Sequence, residues 1–480
     1  MQTTLPCCIE VSPAYVPKVR YTLRMLLEPL GLGPIWVSRE ELRNNSLYYG
    51  HAGESLPPAT HVLKAAPDAE DYFAESQPYP ASRAIWKTWQ GLRYPVLFYA
   101  DGTPDLVASS FFWLSGWQEH VINRRDEHGR FPHAASLQAE LDTTGLPVVD
   151  LYRAQLQQLL QARGLNAKLR GWSDRSWAFC PTIDVDYLRK WRKGMIYREV
   201  VEYFLLNRRR CRLAARSTRL GAFLQDLMRR GDVFQEAILR MNACIRSLGT
   251  GTVFLKAAAH GPQDVHYKLH TPFLRQVMNE WRRDGFEIAL HPSYHAHTHA
   301  TYMRNERAAL TACTGVAPVS VRQHYLRWDA LRTPLLQAGT GFKIDSTLGF
   351  SETAGFRHGT SLPFRHFDVS RNEALELWEM PLVIMDSALF NRQGLHVEAA
   401  IEETSQLLDM CMRFGGVAVG LWHNVLWDEM DFPGWGRHFE ETLAWAADHG
   451  AYIASLQSVL GGWLRYPVQP SAGTHGPQPV

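Results

Sequence analysis

The sequence lacks several features that mark well-known classes of protein. Its 480 residues include only seven cysteines, which are scattered and form no C-x-x-C pair, so zinc-ribbon and thioredoxin-like sites are excluded. No apolar run reaches about 18 residues, so we expect no membrane-spanning helix. The first residues show no unbroken apolar segment behind a basic one, so we expect no signal peptide. These features together predict a reducing, cytoplasmic location.

The sequence also lacks a charge imbalance and a phosphate-binding loop. Lys plus Arg total 50 and Asp plus Glu total 48, which gives no reason to expect nucleic acid as a partner. No G-x-G-x-x-G or G-x-x-x-x-G-K-[ST] follows a strand-like run, which weakens nucleotide-binding interpretations. What is present is 46% hydrophobic and 20% charged residues, as expected of a folded chain of two to four domains.

The pattern along the chain predicts two domains and a tail. Residues 1–165 resemble a mixed α/β accessory domain. From residue 166 to 466, short apolar runs alternate with helix-like stretches, which predicts a (β/α) barrel, with a doubly wound sheet as the alternative. A helical, arginine-rich insertion at 187–250 either contacts an anionic surface or forms a solvated helix face. Residues 467–480 are expected to form a disordered tail.

Two aspartates stand at the end of the first strand of the second domain. In the run TIDVD, strand alternation puts Thr182, Asp184 and Asp186 on one face. Two carboxylates on one face repel each other unless a cation or proton lies between them. A solvated strand end is the alternative interpretation.

Four histidines follow the strand-like run 286–290. If the proline after His291 begins a helical turn, His291 and His295 face the same way, as two metal ligands do. His297 and His299 are expected in a loop. With Asp186, His291 and His295 would form a two-histidine, one-carboxylate site that keeps positions open for water and substrate. Asp184 would then lie beside the metal and act as a base.

Other polar residues also stand where apolar runs end. His423 follows 417–422 and could protonate a leaving group. Arg322 follows 319–321 and could orient Asp184 through a bidentate pair. Asp345 and Glu379 end further runs and could line the cleft. For His423 a loop role without function is the alternative, and for Arg322 a surface role.

Five segments, in order, resemble the motifs of a known enzyme family. They are TIDVD, HPSYH, VRQHYLRW, WEMPL and GLWHN. The set resembles the NodB-like polysaccharide deacetylases of carbohydrate esterase family 4, over about residues 175–465. SLYYG, SSFFWLSGWQEH and HGRFP are similar to an extra N-terminal domain that some bacterial members carry.

The resemblance implies a fold, a metal and a reaction. The fold is an irregular (β/α) barrel of about seven strands, and the metal is usually zinc, sometimes cobalt or another divalent ion. The reaction is hydrolytic removal of acetyl from N-acetylated sugars, so an acetylated sugar or glycan is the expected partner. The resemblance implies these roles: Asp184 as base, Asp186, His291 and His295 as metal ligands, Arg322 as the residue orienting the base, and His423 as acid. Apart from the resemblance, we expect Tyr325, Asp345, Glu379 and Trp422 to bind substrate.

The sequence departs from the family pattern at two of these motifs. Val185 separates two aspartates that are usually adjacent, and Gln323 and His324 replace the proline that usually follows Arg322. Three alternatives stay open: hydrolysis of O-acetyl esters, hydrolysis of cyclic amides, or a glycan-binding or assembly role without catalysis. The oligomeric state is not predicted.

Overall fold

The computed structural model describes residues 3–51, 56–191 and 231–465, together with residues 221, 223, 224 and 228. The predicted tail at 467–480 and almost all of the arginine-rich stretch 208–230 lie outside the described residues. Within the described part of the chain, no helix is both long and apolar enough to cross a bilayer.

The N-terminal region is built on a four-stranded parallel sheet with the order β2-β1-β3-β4. The predicted domain boundary falls between the last helix of this region and the first barrel strand. The elements, in chain order, are β1 (Thr3–Glu10), α1 (Val16–Leu27), β2 (Leu32–Trp36), β3 (Leu47–Gly50), β4 (His61–Lys64), α2 (Ala69–Glu75), β5 (Ile85–Trp89), β6 (Leu92–Val96), β7 (Tyr99–Ala100), β8 (Thr103–Pro104), α3 (Leu106–Leu114), α4 (Trp117–Val121), α5 (Leu137–Glu140) and α6 (Val148–Ala162).

The second region alternates strands and helices around one curled sheet. Its elements are β9 (Ala178–Val185), α7 (Val233–Arg246), β10 (Thr252–Leu255), α8 (Pro272–Arg283), β11 (Glu287–Leu290), α9 (Ala300–Thr314), β12 (Ser320–Val321), α10 (Thr333–Thr340), β13 (Ile344–Asp345), β14 (Phe364–Asp368), β15 (Glu373–Glu379), β16 (Leu382–Met385), α11 (Val397–Arg413), β17 (Val417–His423), α12 (Trp435–Asp448), β18 (Tyr452–Ile453) and α13 (Leu456–Arg465).

The strands of this sheet form an irregular barrel. Pairing runs in the order β14-β15-β13-β12-β11-β10-β9-β17-β16, and β18 pairs with the start of β9. All these pairs are parallel except β14 with β15. β15 leads into β16 through Met380 and Pro381, so one bent strand pairs with β13 in its first half and with β17 in its second. With β15 and β16 counted as one strand, and with β14 and β18 left out because they pair outside the ring, seven strands form the barrel, and the predicted fold class is confirmed.

The helices pack on the barrel through amphipathic faces, and α8 shows how the sequence specifies one. Thr271 accepts a hydrogen bond from the Leu274 backbone N–H, and Pro272 occupies the first turn. Leu274, Val277, Met278 and Trp281 are buried on the barrel side. This spacing of three and four residues is the pattern that predicts a helix packed on a sheet.

The two regions share a hydrophobic core. Trp328, Phe364, Phe367 and Phe414 of the barrel belong to the core of the N-terminal region. Polar contacts also cross the junction: the Asp150 carboxylate in α6 accepts hydrogen bonds from the Thr360 and Ser361 hydroxyls, at 2.7 and 2.6 Å. The N-terminal region is therefore packed against the barrel and can contribute to a site on it.

Candidate active site

A cavity lies where the barrel strands end. Parallel strands bring their carboxyl ends to one face of a barrel, and that face carries the active sites of such folds. The side chains that line the cavity come mainly from the ends of β9, β11, β12, β16 and β17 and from the loops after them. They include Asp184, Asp186, Tyr187, His291, Gln323, His324, Tyr325, Ser387, Arg392, His423 and Trp435, with Arg130 from the N-terminal region.

Asp184 is held in position by Arg322. Both are buried, and Arg322 Nη1 donates to Asp184 Oδ1 at 2.9 Å. The rest of the guanidinium is also bonded: Nη1 to Thr182 Oγ1, Nε to the Ser346 carbonyl and Nη2 to Ser346 Oγ. The pair is therefore a single contact and not the bidentate one expected from the sequence. Asp184 Oδ2 faces His291 Nε2, at 3.7 Å.

Asp186, His291 and His324 converge on one point. Their ligand atoms all lie within 4.8 Å of one another. Asp186 Oδ1 is 3.5 Å from His291 Nε2 and 3.4 Å from His324 Nε2, and it is buried without a hydrogen-bond partner in the part of the chain that the structure describes. Although burial raises the pKa of Asp186, the facing histidines outweigh this and hold the pKa well below its usual value. The carboxylate is thus kept ionised, and its Oδ1 atom faces the two histidines.

Each of these histidines has its other ring nitrogen fixed. His291 Nδ1 donates to the Arg322 carbonyl at 2.7 Å, because a carbonyl oxygen can only accept. His324 Nδ1 lies 2.8 Å from Asp264 Oδ1. Such partners orient the imidazole of a metal ligand and leave the opposite nitrogen free to bind. Both Nε2 atoms face Asp186.

His295 lies outside this group. The chain after His291 forms a turn and a short 3-10 helix at Ala296–Thr298, and His295 is not among the residues whose ligand atoms converge with those of Asp186. His295 is half-buried with its ring against Tyr294. Its role as a ligand stays a prediction from the sequence. Of the two histidines expected in a loop, His299 is exposed and follows the 3-10 helix, whereas His297 is buried within that helix.

His423 is paired with Asp386 at the mouth of the barrel. His423 Nδ1 is 2.8 Å from Asp386 Oδ1, and the His423 backbone N–H donates to Asp386 Oδ2 at 2.7 Å. The free Nε2 lies 3.8 Å from Asp186 Oδ2. Burial lowers the pKa of His423, but the carboxylates of Asp386, Asp186 and Asp184 outweigh it and raise the pKa to about 10.

A buried lysine also reaches the group. Lys256, at the end of β10, places Nζ 3.9 Å from Asp186 Oδ1 and 3.5 Å from Asp264 Oδ1. It lies 3.4 Å from His324 Nε2. Asp186 and Asp264 thus face one fixed cation, and the ammonium belongs to the charge balance of the site.

The N-terminal region supplies part of the cavity wall. Arg130 lines the cavity, donates through Nη1 to the Tyr325 carbonyl at 2.9 Å and pairs with Asp126. Tyr325 has a left-handed backbone, with φ of 61°, which is costly for a bulky residue. His128 Nδ1 lies 3.0 Å from the Tyr294 hydroxyl. Contacts from the accessory region thus hold a strained loop at the rim.

The four residues expected to bind substrate are placed differently from one another. Tyr325 lines the cavity and is 38% exposed. Trp422 is fully buried and packs against Phe439, with its indole N–H directed to His438. Asp345 and Glu379 are fully buried inside the barrel wall and do not line the cavity. Only Tyr325 of the four can contact a ligand held in the cavity as it stands.

Comparisons with known proteins give one family match and several structural similarities. A model of a family of unknown function (DUF7033) matches residues 9–165. No curated protein matches the chain. Among solved structures, a candidate polysaccharide deacetylase from Mycobacterium smegmatis is 21% identical, with a TM-score of 0.40, and the match covers 64% of this chain and 98% of that one.

Two further solved structures illustrate the range of similar proteins. The peptidoglycan deacetylase PdaC from Bacillus subtilis is 9% identical, with a TM-score of 0.29 and coverage of 60% and 91%. A CE4 family pseudoenzyme from Bacillus anthracis is 8% identical, with a TM-score of 0.27 and coverage of 59% and 65%. The barrel of this chain is established by its own strand pairing.

The converging group fits a divalent metal. In a tetrahedral zinc site with bonds of about 2.0–2.2 Å, ligand atoms are about 3.3–3.5 Å apart. The separations of Asp186 Oδ1 from the two histidine nitrogens, 3.5 and 3.4 Å, match this. Imidazole and carboxylate together suit zinc and other first-row divalent ions. The sequence drew attention to Gln323 and His324 only as a departure from the family motif.

Proposed function

We propose that the chain is a metal-dependent hydrolase that removes an acetyl group from an N-acetylated sugar or glycan. One observation carries the proposal: Asp184, the group Asp186, His291 and His324, and His423 meet at one cavity, where Asp186 Oδ1 is buried and has no hydrogen-bond partner among the residues described. The ordered motifs favour an acetamido sugar over other acyl compounds.

We propose Asp186, His291 and His324 as the metal ligands, with His295 as the alternative third ligand. A divalent ion held there supplies a Lewis acid and lowers the pKa of water. Lys256 competes for the same carboxylate, since its Nζ lies 3.9 Å from Asp186 Oδ1. A protein that takes up no metal would favour Lys256 as the permanent cation of the site.

Asp184 would act as the general base. Its Oδ1 is occupied by Arg322, so Oδ2 is the oxygen available on the cavity side, 3.7 Å from His291 Nε2. Removing a proton from the attacking water is the step that this oxygen can perform. Because Arg322 is bonded through all three of its nitrogens, the carboxylate has little freedom to turn away.

His423 would act as the general acid. Asp386 holds Nδ1–H, so Nε2 is the nitrogen directed toward the group at Asp186. His423 is the register partner of Asp184 on the neighbouring strand, and a histidine beside the base can deliver a proton to the departing amine of the sugar. Asp386 is a positioning residue, since it acts through His423.

The activity is tested by measuring acetate release from the full chain loaded with zinc or cobalt. The substrates are N-acetylglucosamine oligomers of increasing length, peptidoglycan fragments and O-acetylated sugars. We expect turnover on an N-acetylated substrate and none after Asp184→Asn, with the metal content unchanged. Asp101→Asn is the matched control, because Asp101 is 81% exposed in the N-terminal region. Full activity of Asp184→Asn would refute the mechanism, and release only from O-acetyl sugars would favour the esterase alternative.

The ligand set is tested by comparing two histidine variants. His324→Ala is expected to lose the metal, measured by elemental analysis, and His295→Ala is expected to keep it. The opposite result would support the ligand set implied by the sequence motifs. Equal, full occupancy in both variants would contradict both sets.

A further inference from the structure

A second group of ligand-type side chains lies inside the barrel wall. Asp345, His366 and Glu379 are all buried, and their ligand atoms lie within 4.8 Å of one another. None of the three lines the cavity of the candidate active site.

The three side chains turn unused atoms toward each other. His366 Nε2 lies 3.2 Å from Glu379 Oε2 and 3.8 Å from Asp345 Oδ2. These three atoms are buried and have no hydrogen-bond partner among the described residues. The His366 side chain is 6% exposed, and the two carboxylates are 0% exposed. Leaving three such atoms unsatisfied in a dry interior is costly unless something lies between them.

The other oxygen of each carboxylate is already engaged. Asp345 Oδ1 accepts from Gln337 Nε2 at 3.0 Å and from Thr347 Oγ1 at 2.6 Å. Glu379 Oε1 accepts from the Leu348 backbone N–H at 3.0 Å. These bonds fix the two carboxylates so that Oδ2 and Oε2 point at His366, as supporting bonds do around a metal ligand.

The strands bring the group together by register. Asp345 on β13 and Glu379 on β15 are direct partners in the parallel ladder, so their side chains share a face. The antiparallel ladder of β14 and β15 is interrupted between Arg365 and Phe367, which places His366 at the irregular position. Strand alternation puts His366 on the same face of β14 as Phe364, the cross-strand partner of Glu379, so the three side chains come from adjacent strands.

We propose that Asp345, His366 and Glu379 bind a second divalent metal ion, with zinc as the best fit to one imidazole and two carboxylates. The separations of 3.2 and 3.8 Å bracket the ligand spacing of about 3.3–3.5 Å in a tetrahedral zinc site. The ion joins β13, β14 and β15. Since Phe364 and Phe367 of β14 belong to the core shared with the N-terminal region, it also supports the junction between the regions.

The alternative to a bound metal is that protons are shared between the two carboxylates. Burial raises the pKa of Glu379 to about 7 and the pKa of Asp345 well above its usual value, so protons could neutralise the pair if no metal were bound. Metal stoichiometry separates the two cases, and it does so whatever the activity of the other site.

The experiment counts zinc per full-length chain by elemental analysis after equilibrium dialysis. We expect two equivalents for the wild type, one for His291→Ala, and none for His291→Ala combined with Asp345→Asn and Glu379→Gln. Glu376→Gln, on the exposed side of β15, is the matched control and should keep both. A folded His291→Ala protein without zinc would overturn the proposal. The proposal would also be overturned if the combined variant kept the one equivalent of zinc that the His291→Ala protein binds.

A second measurement avoids variants that fold poorly. Cobalt bound to the folded His291→Ala protein should give visible d–d absorption, and its removal by a chelator should lower the melting temperature. Absence of both effects would overturn the proposal. The wild type could instead bind one equivalent of zinc that the His291→Ala protein keeps and the Asp345→Asn/Glu379→Gln protein loses. That result would support this site and contradict the proposed metal ligands of the active site.

Discussion

The buried ion pair between Glu119 and Arg357 is expected to control the stability of the domain junction. Glu119 lies in α4 of the N-terminal region and Arg357 in the barrel, and they form two parallel bonds of 2.8 and 2.7 Å. The two side chains are 4% and 2% exposed. Glu119→Gln keeps the shape but leaves a buried guanidinium without its counter-charge. We expect this to lower the free energy of unfolding by about 3–5 kcal/mol.

The assay is urea denaturation followed by tryptophan fluorescence and far-UV circular dichroism. The control is Glu440→Gln, which breaks an exposed pair with Arg240 and should cost only about 0–1 kcal/mol. Replacing both buried partners, as Glu119→Leu with Arg357→Met, should cost less than Glu119→Gln alone, because no charge is left buried. A loss for Glu119→Gln as small as that for Glu440→Gln would refute the reasoning.

Acid should weaken the same pair. Burial raises the pKa of Glu119, but Arg357 outweighs it, so the folded-state pKa lies below the ordinary value of 4.5. A group with a lowered folded pKa stabilises the protein above its unfolded pKa and loses this contribution as the pH falls through the folded value. The difference in stability between wild type and Glu119→Gln should therefore be full near pH 7 and shrink below about pH 4.5.

Three further outcomes are expected. Asp386→Asn should lower kcat about 10²–10⁴-fold with unchanged metal content, because Nδ1 of His423 loses its carboxylate partner. It should also shift the limb of the pH–rate profile that reports deprotonation of His423, and an unchanged profile would contradict the role of Asp386. Treatment with a chelator should abolish acetate release, and added zinc or cobalt should restore it; activity that survives complete metal removal would contradict the proposed chemistry. Arg130→Ala should raise KM about tenfold with little effect on kcat, since the Tyr325 carbonyl loses a charge-assisted hydrogen bond. Arg371→Ala is the control, because Arg371 is exposed, and equal kinetics of the two variants would contradict a role for the N-terminal region.

The fold could be predicted because its signals are local. Each barrel strand is a short apolar run, and most runs are followed by a helix with a regular apolar face, so the alternation alone predicts a parallel sheet. The polar residues at the ends of those runs, such as Asp184, Arg322 and His423, then had to meet at one face. The structure brings Asp184 and His423 to the same cavity, with Arg322 bonded to Asp184 behind it.

The rest of the site depends on three-dimensional contacts that cannot be predicted from the spacing of residues in the sequence. The expectation for His295 assumed helical turns after His291, where the chain instead makes a turn and a 3-10 helix. His324 reaches Asp186 from another strand end. Arg130 reaches the rim through packing between regions that are distant in sequence. No short sequence window contains such contacts.

The central position of β9 has a consequence for biosynthesis. β9 is the first barrel strand to leave the ribosome. The Thr182 hydroxyl of β9 nevertheless donates a hydrogen bond to the carbonyl of Gly420 in β17, 238 positions later. At about 5–20 residues per second, this partner emerges roughly 12–48 s after β9. The N-terminal sheet is complete by then, whereas β9 must wait with one edge unpaired. We therefore expect nascent chains arrested before β17 to depend on chaperones, and the barrel to form only after β17 has emerged.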